Sequence, residues 1–227
     1  MNRLRRLVLI AAAVGTLAAS ATFAADAVKT PNFEKVKLGN GATLLLMERH
    51  DVPLIAFSAF IRGGALSDQA DRLGTASLVA GLLEKGAGAR DANAFAETVA
   101  SVGGTISTGA STESISVGGS FLARDQKLMV ELLADVLQRP RLEQAQFESL
   151  RGRYIEFIRA AKDSDRSSLT SIYGGASLFG THPYGRPVGG SETSLAAIKH
   201  SDVQRYYQDQ VGADRVIIAI AGDFKTA

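Results

Sequence analysis

Cysteine and tryptophan are absent from this chain of 227 residues, and histidine occurs only three times. Without thiols there can be no disulfide framework, no thiolate metal site and no cysteine nucleophile. The three histidines, His50, His182 and His200, lie far apart. No two of them stand one helical turn apart, the spacing that lets two imidazoles share a zinc ion. The GxSxG turn of serine hydrolases, the phosphate-cradling P-loop and the dinucleotide-binding glycine fingerprint are missing too. His50, in ERHDVP, reads as a solvated turn residue, and His200 as a surface residue beside Lys199 and Asp202. His182, in THPYG, either orients its loop or touches a ligand. Glu143, Glu148 and Glu156 share one helical stretch with Arg151 and Arg153, which reads as a salt-paired, solvated face.

Long apolar runs are also scarce, and the one at the N-terminus is short. In MNRLRRLVLIAAAVGTLAASATFAADA, three arginines precede an apolar stretch from Leu7 to Ala19 and then small residues. That order reads as a secretory signal peptide over residues 1–24, not a spanning helix, and points to a bacterial periplasm. Three of the 25 basic residues belong to it, leaving 22 against 23 acidic ones, so the formal charge falls from +2 to −1. The remainder carries no basic excess that would suit nucleic acid or an anionic membrane.

What is present is an ordinary globular composition, 46% hydrophobic, with enough apolar material for one core. Residues 33–38 and 42–48 read as a hairpin closed at Asn40-Gly41. Residues 54–61 (LIAFSAFI), apolar at nearly every position, read as a central strand covered on both faces. Helices are expected over residues 75–85, from an N-cap at Asp91, and over 125–137, 142–161, 167–179 and 194–210. Two strands are expected within residues 105–122, joined near 109–111, and a last buried strand over residues 215–221. The order predicts an α+β fold, a largely antiparallel sheet covered by helices, in a single domain over residues 25–227.

Several stretches together resemble the N-terminal domain of the M16 metallopeptidases, the insulinase, pitrilysin and mitochondrial processing peptidase group, with the M16/LuxS-like metallohydrolase fold. The opening LGNGATLLLMERHDVPLIAFSAFIRGGALSD is similar to that family's hairpin and third strand. The later LFGTHPYGRPVGGSETSLAAIKHSDVQRYYQDQVGADRVIIAIAGDF is similar to its closing helices and strand. The resemblance spans about residues 33–224. It implies a helix after the third strand that carries HxxEH in active members, two zinc ligands and a general base on one helical face. Here that frame falls on Ser77-Leu78-Val79-Ala80-Gly81, so Ser77, Ala80 and Gly81 replace the chemistry-bearing residues. A further downstream ligand position falls on Phe157. Its neighbour Glu156 is turned about 100° around the helix. The small residues at 77, 80 and 81 suit a dismantled metal site, with Phe157 filling part of the vacated space. They equally suit close helix packing.

The resemblance further implies an edge strand, Thr105-Ile106-Ser107-Thr108, that pairs with an extended peptide through its backbone. The expected role is that of a non-catalytic subunit. It would bind no metal itself and would be partnered by a catalytic M16 chain that carries HxxEH and the zinc, with peptide as substrate and neither nucleic acid nor membrane as partner. The alternatives are a structural or peptide-binding module without a peptidase role, and an active zinc endopeptidase. The resemblance also implies a second homologous domain, which is expected to be missing from this chain.

Overall fold

The computed structural model describes residues 31–164 and 166–226. The expected signal peptide lies outside them. Strands β1 (Glu34–Lys37) and β2 (Thr43–Glu48) form the expected hairpin, with Lys37 opposite Thr43. At its turn the Asn40 side-chain oxygen accepts the Ala42 N–H at 3.1 Å, and Gly41 takes φ 96°. Strand β3 (Leu54–Arg62) follows, then helix α1 (Thr75–Leu83) and a short ribbon of β4 (Gly86–Ala87) and β5 (Arg90–Asp91). Asp91 caps helix α2 (Ala92–Ser101) by accepting the Ala94 N–H at 2.9 Å, as its position before an apolar repeat predicts.

Strands β6 (Thr105–Ala110) and β7 (Ser114–Leu122) lead to helices α3 (Gln126–Gln138), α4 (Gln144–Ser164) and α5 (Arg166–Phe179). The helix expected over residues 194–210 is instead two, α6 (Glu192–Ala197) and α7 (His200–Gln210). Ile198 is extended between them, and a second start signal explains the break: the Asp202 carboxylate accepts the Lys199 N–H at 2.8 Å. Strand β8 (Val216–Gly222) ends the order.

The sheet runs β1-β2-β8-β3-β7-β6. Every pairing is antiparallel except β2 with β8, so the expected largely antiparallel α+β sheet is found with one parallel step. Central β3 is not covered on both faces. Ile55, Phe57, Ala59 and Ile61 are buried under the helices, whereas Leu54, Ala56, Phe60 and Arg62 point outward, Phe60 with 46% exposure. A near-continuous apolar run hid this alternation, because only the layering decides which face is covered. The core lies on the helical side, where Leu78, Val79, Leu82 and Leu83 of α1 meet Ile115, Val117 and Phe121 of β7. Among the described residues no helix is long and apolar enough to cross a membrane.

Candidate functional site: a cavity beside the β6 edge

Helix α1 positions the site, and its start is fixed by one buried carboxylate. Asp68 accepts the Gly74 N–H at 2.7 Å and the Ala76 N–H at 2.8 Å, satisfying amides that the helix itself leaves without partners. Burial pushes the Asp68 carboxyl up to about 6, against the pull of those amides and of the nearby Arg186 charge. Gly74 has φ 99°, and a Cβ there would stand 2.9 Å from the Gly189 carbonyl oxygen. The 189–190 backbone can therefore lie directly on the helix start. Ser194 reinforces this approach by donating to the Leu73 carbonyl at 2.8 Å.

With its apolar side committed to the core, α1 turns Ser77, Ala80 and Gly81 toward a cavity of about 560 Å³. Thr108, Gly109 and Ala110 of β6 form a second wall. Tyr154, Phe157 and Ile158 of α4, Gly175 of α5, Thr112 and the 184–190 loop form the rest. The cavity is thus bounded by the strand at the end of the sheet, whose only strand partner among the described residues is β7.

Ser77, Ala80, Gly81 and Phe157 all line one space. Phe157, however, is 64% exposed, so it does not fill the vacated position. Tyr154 and Leu150 instead close over Gly81 alone: a Cβ there would stand 2.8 Å from both the Tyr154 hydroxyl oxygen and the Leu150 Cδ2. They stand one turn or more before Phe157 on the same helix, a packing choice that no motif signals. Burial raises the Tyr154 phenol above its usual range, and the Glu84 charge adds to this. Glu156 stands outside the cavity wall and pairs with Arg159 at 2.7 Å.

Of the proposed edge residues, Thr105, Ile106 and Ser107 lie on β6 away from the cavity, and Thr108 lines it. The Thr108 hydroxyl is the only buried side-chain polar atom without a partner among the described residues. His182 stands outside the cavity and orients its loop. Its Nδ1 accepts the Tyr184 N–H at 3.2 Å, and its ring meets the Tyr184 ring edge-on with centroids 5.0 Å apart. Tyr184 then donates its hydroxyl to Glu113 in the β6–β7 turn, tying the loop to the sheet end. The reading of His200 as a surface residue needs correction: it is half-buried, its Nε2 bonded to the Leu142 carbonyl and its ring packed by Phe147.

The donors present do not suit a zinc ion. Ala80 and Gly81 offer no side-chain donor atom, and the Ser77 hydroxyl already donates to the Val188 carbonyl at 2.8 Å. Among the described residues no group of three histidines or carboxylates is placed to hold a metal.

An uncharacterized zinc protease of Mycobacterium bovis is 29% identical over 160 residues, 70% of this chain and 36% of that protein. A protein of Helicobacter pylori named as a non-peptidase homolog is 25% identical over 179 residues, 78% of this chain and 41% of that protein. This chain therefore spans well under half the length of these relatives. Among solved structures, an inactive M16 peptidase domain from Pseudomonas fluorescens shares the fold with a TM-score of 0.79. It is 21% identical and is matched over 86% of this chain and 47% of that one. Residues 45–189, from β2 through α1 and β6 to the cavity loop, match the family model for insulinase, peptidase family M16. The chain belongs to the M16 peptidase family.

Proposed function

We propose that this chain is a non-catalytic partner of a zinc-bearing M16 peptidase, exported to the periplasm, that helps enclose and hold peptide substrate. The observation that supports it is the pairing of two features. A cavity is lined by Ser77, Ala80 and Gly81, which the resemblance aligns with the family's metal motif and which offer no donor set suited to a metal, and a strand edge without a partner among the described residues borders that cavity. Backbone N–H and C=O groups on such an edge bind an extended chain whatever its side chains. Export rests on the basic, apolar and small-residue order of residues 1–24.

The test is peptidase activity with added zinc, on the mature full-length protein alone and then mixed with an HxxEH-bearing M16 chain of the same source. Silence alone and cleavage above that of the partner by itself is the expected result. Zinc-dependent cleavage by this chain alone overturns the assignment of Ser77, Ala80 and Gly81. No gain on mixing assigns the chain to a structural or peptide-binding role outside peptidase action.

A further inference from the structure

We infer that the dismantled metal position has become a side-chain pocket: it accepts one large uncharged side chain, preferentially aromatic, from a peptide paired along β6. The inference rests on the reading that β6 binds an extended peptide, and it adds what that peptide must carry.

Strand geometry supplies the direction. Thr108 lies opposite Val117 and Ala110 opposite Ile115, both of which point into the helical layer. A strand added outside β6 would place residues opposite Thr108 and Ala110 on that same face, since side chains across a ladder share a side. Those residues would point toward α1 and α4, and their immediate neighbours would point away. One or two side chains per peptide therefore enter the cavity.

The walls supply the chemistry. Ser77, Ala80 and Gly81 give depth because none of them projects far from α1. Phe157 and Ile158 present apolar surface, and a volume of about 560 Å³ is within the ~300–1,000 Å³ range of sites that bury small organic groups. Arg186 is the only formally charged residue on the lining, and its charge acts on the buried Asp68 carboxyl, so the lining disfavours a cationic side chain. An aromatic ring fits such a place best, through area buried and ring contacts with Tyr154 and Phe157.

The experiment uses the mature full-length chain and blocked heptapeptides of Ser and Ala with a single variable central residue, Phe, Ala, Glu or Lys, followed by calorimetry. Phe is expected to bind at least tenfold more tightly than Ala, with Glu and Lys no tighter than Ala. Phe157→Ala, at an exposed position where folding is not at stake, is expected to lower Phe-peptide affinity about tenfold and leave Ala-peptide affinity unchanged. N-acetylphenylalanine amide, a ring without a strand, is titrated separately by NMR. Equal affinity for all four peptides overturns the pocket and leaves strand pairing intact. Tightest binding by Glu or Lys overturns the selection for an uncharged group. Binding of the amide but of no peptide removes the strand reading and keeps a ring-binding cavity. Binding of neither overturns both.

Discussion

The two edges of the sheet are chemically opposite. On β1, Glu34, Lys35 and Lys37 stand exposed along a four-residue strand. On β6, six residues from Thr105 to Ala110 carry no charge at all. Charged side chains and short length are the usual means by which an exposed edge avoids pairing with other chains. β1 shows both devices and β6 shows neither, although both strands are terminal. The unguarded edge is also the one beside the cavity. This asymmetry is what a protein needs if one edge is to remain solvated and the other is to receive a peptide.

The largest expected effect comes from loosening the β6 end alone. Phe121, on β7, is fully buried and stacks on Phe57 with centroids 6.5 Å apart. Phe121→Ala should cost about 3–5 kcal/mol in urea denaturation, the usual penalty for removing a buried ring. Amide exchange should accelerate more in β6 and β7 than in the β1–β2 hairpin. Equal acceleration at both ends would mean that the sheet opens as one unit and that its edges are not independent.

Next in size is the pH dependence set by Asp68, behind the α1 wall of the cavity. Its carboxyl is raised from the ordinary value of 3.8 to about 6, so the folded state holds the proton more tightly than the unfolded state. The stability it contributes is therefore fully present below about pH 4 and is lost as pH rises through about 6, on the order of 2–3 kcal/mol in all. Asp68→Asn should lack that decline, so the difference between the two proteins' urea midpoints should change by this amount between pH 4 and 7. Parallel curves between pH 4 and 7 would show that Asp68 ionises as readily folded as unfolded.

The third expected effect concerns whether the cavity side of the comparison can hold a metal. Restoring donors through Ser77→His, Ala80→Glu, Gly81→His and Phe157→Glu should give only weak zinc binding, because a side chain at 81 meets Tyr154 and Leu150 at 2.8 Å. Adding Tyr154→Ala should tighten zinc at least tenfold, about 1.4 kcal/mol, in a chelator competition. Equal affinity with and without Tyr154 would show that its ring moves aside freely.

That third case also marks where the sequence stopped being legible. The hairpin, the Asp91 cap and the order of strands and helices followed from turn residues and periodicity, and the similarity of two long segments gave the family. The α1 positions of the cavity were legible because a spaced motif has a frame even when its residues change. Tyr154 was not legible, since which of several α4 side chains drops onto Gly81 depends on the crossing of two helices distant in sequence. Asp68 was missed for a related reason: a carboxylate six residues before Gly74 caps the helix from just after a 3-10 turn, across an intervening loop, rather than from the position next to it. The open outer face of β3 was hidden by its own apolar composition.

The smallest effect should come from the guarded edge. Lys35 and Lys37 lie outside every ion pair among the described residues, so Lys35→Thr with Lys37→Thr should shift stability by less than about 0.5 kcal/mol. Their role, on this account, is to prevent pairing, and Thr is itself well suited to strands. The double variant should therefore fold as well as the wild type and yet self-associate at concentrations where the wild type does not. Sedimentation velocity separates the two, and added peptide sharpens the result. If association arises through β1, a peptide held on β6 leaves it unchanged. If peptide suppresses it, the new contact uses β6, and β1 was never the edge that needed guarding.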